Sequence, residues 1–201
     1  MKKVAIVGLG WLGMPLALSL ISRGFEVVGS KTTPDGVEAA RMSGVECYPL
    51  TLTPELECEA DDLDALLQVD ALVITLPARR TVEGSENYFN AVRMLVDSAM
   101  AYGVSRIIFT SSTSVYGEAA GMLNEDTPIN PVSPSGRCWR SWSAGCMSCP
   151  IPRWIFYAWP GWWAPSVIRG VFWPVRWRSK AAGRASICCI RMTRSPRFNC
   201  C

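Results

Sequence analysis

Apolar residues in the first 110 positions alternate between short solid runs and stretches with helical spacing. The run Lys2 to Val7 reads as a buried parallel strand, and Pro15 to Ser22 as a helix stopped at Gly24. Phe25 to Gly29 predicts a second strand, Val37 to Met42 a short helix, and Val45 to Leu50 a third strand. Asp61 to Gln68 reads as helix and Ala71 to Leu76 as strand. A longer helix is expected from about Glu86 to Ala101, because Tyr88, Ala91, Val92, Leu95, Val96 and Ala99 fall near helical spacing. Ser105 to Thr110 completes the series as a strand. Strands alternating with helices across short connections imply an α/β protein with a doubly wound parallel sheet.

Such sheets bind ligands beyond the carboxyl ends of their strands, and the notable motifs all fall there. Gly8-Leu9-Gly10-Trp11-Leu12-Gly13 follows the first strand and opens the first helix. Its first glycine permits the turn, the second lets backbone approach a pyrophosphate, and the third lets helix and strand pack closely. The helix N-terminus adds donors and partial positive charge, so a dinucleotide on a Rossmann-type fold is the expected ligand. At the end of the second strand, Ser30-Lys31-Thr32 contains a cation where NAD binders carry an acid, and no acid comes before Asp35. Lys31 therefore favours NADP over NAD as cofactor; the alternative is a solvated loop lysine. After the fourth strand, Thr75, Leu76, Pro77 and Ala78 are candidates to line the cofactor with backbone and small side chains; Arg79 and Arg80 are placed in an exposed loop, the alternative being contact with phosphate groups.

The fifth strand ends in Thr110-Ser111-Ser112-Thr113-Ser114-Val115-Tyr116-Gly117. This stretch, with the glycine turn, resembles the extended short-chain dehydrogenase/reductases, the NAD-dependent epimerase/dehydratase family, over Met1 to about Arg137. The resemblance implies redox chemistry on a small molecule, such as a nucleotide sugar, with Ser112 as catalytic serine. Ser111 and Tyr116 would help to shape the pocket. It also implies a Tyr-x-x-x-Lys pair about twenty residues on, whose lysine lowers the pKa of the tyrosine. Ser135 stands at the tyrosine position and Trp139 at the lysine position, so that pair is missing. Whether the chain is an enzyme or a non-catalytic NAD(P)-binding sensor stays open.

Composition then divides the chain. All 17 acids lie at or before Asp126, and the first 137 residues carry ten Lys and Arg, a net of −7. Residues 138–201 carry +10 with no acid, eight of the nine Trp and seven of the nine Cys. Interleaved Arg and Trp would suit a nucleic-acid- or membrane-binding tail, but the Trp positions follow neither helical nor strand spacing. Cys146 and Cys149 form a C-x-x-C without a second pair at zinc-ribbon spacing, and the chain has no His, so no metal site is expected.

A displaced reading frame accounts for the tail better. If each intended codon takes the last base of one codon and the first two of the next, the genetic code forces several outcomes. Trp159-Pro160 conceals alanine, Trp162-Trp163 valine, Trp163-Ala164 glycine, and Trp154-Ile155 aspartate. With permissive choices elsewhere, Arg153 to Pro165 decodes as S-V-D-I-L-R-L-A-G-L-V-G-P, a strand and turn similar to those of the family's substrate half. Two regions are therefore expected: a dinucleotide-binding domain over 1–137, and an out-of-frame tail over 138–201 that is non-native or disordered and leaves catalysis impaired. No apolar run is long enough to cross a bilayer and no signal peptide precedes the first strand, so a soluble cytoplasmic protein is expected, without nucleic-acid or membrane partners.

Overall fold

The computed structural model describes residues 2–52, 56–76, 82–112, 116–117, 128–133, 136–137, 140, 154–159 and 186–189. Its chain divides into two units, Met1–Ile108 and Phe109–Cys201. In the first unit the elements run β1 (Lys3–Val7), α1 (Gly13–Ser22), β2 (Glu26–Lys31), α2 (Pro34–Met42), β3 (Glu46–Pro49), α3 (Ala60–Leu67), β4 (Ala71–Ile74) and α4 (Val82–Ala101). β5 (Ile107–Ser112) opens in this unit, where the Leu72 N–H donates to the Arg106 carbonyl at 2.9 Å. The sheet order is β3-β2-β1-β4-β5. β1 pairs in parallel with β2 on one side (Val7 opposite Ser30) and with β4 on the other (Val7 opposite Ile74). Strand order therefore reverses at β1, which puts the ligand crevice above its carboxyl end.

β1 and β4 are apolar throughout because both sheet faces are covered. On one face Val4, Ile6, Val27, Cys47 and Val73 pack with Ala17 of α1 and with Val37 and Ala40 of α2. Strand residues of the opposite parity, Ala5, Val7, Val28, Leu72 and Ile74, are buried too. α4 buries Tyr88, Ala91, Val92, Leu95, Val96 and Ala99, the stripe anticipated from the periodicity.

Most differences from the sequence reading lie at element ends. α1 starts at Gly13 rather than Pro15, because a proline in the first helical turn gives up an N–H that has no helical acceptor anyway. β2 runs two residues past Gly29 because backbone pairing continues through the polar Ser30 and Lys31, opposite Tyr48 and Pro49. Ser30 is buried despite its hydroxyl. β4 ends at Ile74 instead of Leu76, and β5 is shifted to Ile107–Ser112.

α2 starts at Pro34, three residues before the apolar pattern, because Thr33 caps it: its Oγ1 accepts from the Gly36 N–H at 3.2 Å, with Pro34 at the first helical position. Thr33→Ala should cost about 1 kcal/mol by loss of this cap. A lowered urea midpoint with unchanged slope, followed by circular dichroism, is the expected readout, and an unchanged midpoint would show that the cap contributes nothing.

In the second unit Gly117 has φ +65°, and a Cβ there would run into the Asn130 carbonyl oxygen. β6 (Trp154–Trp159) and β7 (Ser186–Cys189) pair in parallel, with Ile155 opposite Ser186. These two strands account for ten of the positions expected to be non-native or disordered. Ile155, Phe156, Tyr157 and Ile187 are β-branched or aromatic, and such residues favour extended backbone without strict alternation. The other tail residues lie outside those described, apart from Arg140.

Candidate functional site

At the carboxyl end of β1 the chain turns sharply at Gly8, whose φ of +101° lies where side-chain-bearing residues are strained. The Gly8 carbonyl oxygen accepts from the Gly10 N–H at 2.7 Å and from the Thr75 hydroxyl at 2.6 Å. The Leu9 N–H donates to the Ser30 carbonyl at 3.1 Å, which ties the turn to the end of β2. Leu9 itself is buried against Gly29, where a Cβ would collide with the leucine side chain.

The three glycines then differ in what they permit. A Cβ on Gly13 would strike the Gly8 carbonyl, so Gly13 lets α1 sit directly behind the turn. A Cβ on Gly10 would meet no protein atom within 4 Å, so the space beside Gly10 is left for a ligand. The Met14 N–H bonds back to the Gly10 carbonyl at 3.0 Å and the Leu16 N–H to the Leu12 carbonyl at 3.2 Å, so α1 begins directly behind the turn. Helix N-termini with free amides and a positive dipole end are anion sites.

These elements form one wall of a cavity of about 590 Å³. Gly8, Gly10, Trp11 and Leu12 line it from the turn, and Ser30, Lys31 and Thr32 from the end of β2. Leu76 lines it beyond β4. Among the described residues of this lining Lys31 is the one charged side chain, and none is acidic. Its aliphatic stem lies against Gly36, where a Cβ would come 3.2 Å from Lys31 Cδ. Lys31 is thus a half-buried residue at the end of β2 rather than a loop residue, at the cavity rim.

The far wall was not legible in the motifs. Leu50, Thr51 and Leu52 follow β3, and Asn87, Tyr88 and Ala91 come from α4. The first group lies just past a strand's carboxyl end, so the rule about such ends was the available signal. The α4 residues carry no motif; only the tertiary fold turns that face toward the cavity. Tyr88 is anchored there by its hydroxyl, which donates to the Leu76 carbonyl at 3.1 Å.

The cavity spans the ends of β1, β2, β3 and β4, a span suited to the adenosine and pyrophosphate of a dinucleotide. Pro77, Ala78, Arg79, Arg80, Ser135 and Trp139 lie outside the described residues. Ser111 and Ser112 are the last two residues of β5, and only their backbone is described. Nearby Cys47 is fully buried, and burial pushes its thiol above the ordinary range despite Arg41 and Lys31. It is no thiolate nucleophile. The neighbouring Tyr48 is raised to about 12, chiefly by its hydrogen bond to Glu46. Among the described residues no group of three or more metal-ligating side chains is assembled.

A glycine turn under a helix N-terminus at the reversal of strand order, with a polar rim on β2, defines a Rossmann-type dinucleotide-binding domain. The chain belongs to the NAD dependent epimerase/dehydratase family, whose model matches residues 4–140. It is 69% identical over 137 residues to Protein YeeZ of Escherichia coli (strain K12), a match that covers 68% of this chain and 50% of YeeZ. It is 31% identical over 84 residues to the uncharacterized UDP-glucose epimerase YtcB of Bacillus subtilis, covering 37% of this chain and 27% of that protein. The chain thus spans at most about half the length of these relatives. Among solved structures, the UDP-glucuronic acid 4-epimerase of Bacillus cereus in complex with NAD superimposes with a TM-score of 0.61 at 21% identity, over 78% of this chain and 56% of that one. Among the described residues no helix is long and apolar enough to cross a membrane.

Proposed function

We propose that residues 1–137 form the cofactor-binding part of an epimerase/dehydratase-type protein, that NADP is preferred over NAD, and that the chain as it stands has little or no catalytic activity. One observation carries the cofactor preference: among the described residues Lys31 is the single charged side chain on the cavity, at the strand end where a dinucleotide's adenosine ribose belongs. An ammonium there favours a 2′-phosphate, and the absence of a carboxylate removes the usual partner of free ribose hydroxyls. The fit of a dinucleotide rests on the room beside Gly10 and the positive dipole end of α1 directly behind the turn. A bound nicotinamide supplies hydride transfer; the residues of the cavity hold the cofactor's other end.

Lys31→Glu is expected to reverse the preference, weakening NADPH by at least about tenfold while NADH gains or holds its affinity. Fluorescence titration of both cofactors against both proteins tests this, and equal loss of the two would sink the preference.

Ser112 remains the proposed catalytic residue, on the strength of the family motif at the end of β5. The proposed substrate of a complete relative is a nucleotide-linked sugar, supported by YtcB's designation as a UDP-glucose epimerase. Residues 138–201 are proposed to be an out-of-frame tail in place of the substrate half, and the cell location to be cytoplasmic. A second reading, a non-catalytic NAD(P) sensor, is favoured by Ser135 and Trp139 at the positions of the usual acid/base pair. A full-length relative that binds NADPH but turns over no nucleotide sugar would support it.

A further inference from the structure

The space vacated by two of the glycines is filled by a residue from another strand. Thr75 directly follows β4, and its N–H extends the β1–β4 ladder by donating to the Val7 carbonyl at 3.0 Å. That bond places its side chain inside the glycine turn. Thr75 Oγ1 lies 2.6 Å from the Gly8 carbonyl oxygen and 3.2 Å from that of Val7. A hydroxyl has one proton, and the shorter contact assigns it to Gly8. The same oxygen would lie 3.1 Å from a Cβ on Gly8 and 3.0 Å from one on Gly13. The turn and the threonine are therefore complementary in shape as well as in hydrogen bonding.

We infer that Thr75 is a positioning residue for the cofactor's pyrophosphate, acting through the Gly8 carbonyl. With φ at +101°, Gly8 lies in a permissive part of backbone space, and hydrogen bonds fix the peptide plane that follows it: Gly10 N–H and the Thr75 hydroxyl donate to its carbonyl oxygen, and the Leu9 N–H of the same plane donates to the Ser30 carbonyl. Rotation would turn the carbonyl oxygen toward the cavity, where it would repel a pyrophosphate, and would break its bond from the Gly10 N–H. The Thr75 hydroxyl adds the one side-chain bond, at 2.6 Å, to the two backbone bonds that hold that oxygen inward, so that the mouth of the turn presents the N-terminus of α1 to the anion. Neither the glycine pattern nor the apolar periodicity marks Thr75, since its role depends on two strands 67 residues apart in sequence.

The inference rests on the dinucleotide reading, and the experiment separates the two. The full chain is compared with Thr75→Val, which keeps the shape without the hydroxyl, and Thr75→Ser, which keeps the hydroxyl. NADPH and 2′-AMP, which has no pyrophosphate, are titrated against each. Thr75→Val is expected to weaken NADPH about tenfold, with 2′-AMP within twofold of the parent and Thr75→Ser restored to within threefold for NADPH. Thr75→Ala, which puts no methyl group at the Gly8 carbonyl, makes the same comparison if the valine variant does not fold. Equal losses for NADPH and 2′-AMP, no loss at all, or no rescue by serine would each overturn the role of Thr75. If the parent chain binds neither ligand, the dinucleotide reading itself falls, and the inference with it.

Discussion

Gly13→Ala should reduce dinucleotide affinity at least about a hundredfold and lower the melting temperature, whereas Gly10→Ala should weaken binding with the melting temperature unchanged. The contrast follows from what each new methyl group meets. At Gly13 it is driven into the Gly8 carbonyl, which is backbone, held by Gly10 and Thr75 and unable to rotate away like a side chain. Relief requires α1 to move off the end of β1, and overpacking of this kind costs about 1–3 kcal/mol. The same movement displaces the first-turn amides from the pyrophosphate, so binding suffers beyond the loss of stability. At Gly10 the methyl group meets no protein atom within 4 Å and collides only with a ligand. Calorimetric titration with NADPH beside thermal melts measures both quantities. Intact binding in Gly13→Ala would mean that the pyrophosphate does not lie on this turn.

Shifting the reading frame by one base within the codons for Ser135 to Trp139 is expected to have the second large effect. The repaired product should regain acidic residues and lose its excess Trp, Cys and Arg beyond Arg137, and its soluble yield should rise severalfold. The motivation is that several sharp changes coincide. Every acid precedes residue 127, the charge turns from −7 to +10 at Arg137, and the family model stops matching at residue 140. A genuine basic module would be expected to bring its own acids and a regular spacing of its tryptophans. Resequencing in independent isolates decides the matter: an uninterrupted frame with the tail retained would refute the displaced frame. In that event a binding tail becomes the leading account, and it predicts salt-dependent nucleic-acid or membrane binding that vanishes on cutting after Arg137.

Cofactor binding and catalysis are unequally supported by this chain, and the reason is spatial. The glycine turn, Lys31 and the far wall all line one cavity within the first unit. The reacting end of the cofactor depends on residues beyond β5, where the family's tyrosine and lysine positions hold Ser135 and Trp139. A binding defect and a catalytic defect are therefore separable. Lys31→Glu should change which cofactor is bound whether or not the chain turns anything over.

The sequence by itself determined the α/β alternation, the glycine turn and Lys31, because each is a local signal. Solid apolar runs mark strands covered on both faces, helical spacing marks α4, and glycine at fixed intervals marks a turn that only glycine accommodates. Element ends were less legible: the continuation of β2 through Ser30 and Lys31 depends on the backbone of β3, and side-chain polarity carries no trace of it. Thr75 was legible as a residue at a strand end beside the cofactor, but its bond to Gly8 and the far wall of the cavity were decided by the tertiary structure alone. Leu50 to Leu52, Asn87 and Tyr88 line the same cavity as the glycine turn because parallel pairing brings the carboxyl ends of four strands to one side and lays α4 beside them. The Thr75 hydroxyl reaches the Gly8 carbonyl across the β1–β4 ladder, and a contact between strands so far apart in sequence leaves no spacing to read.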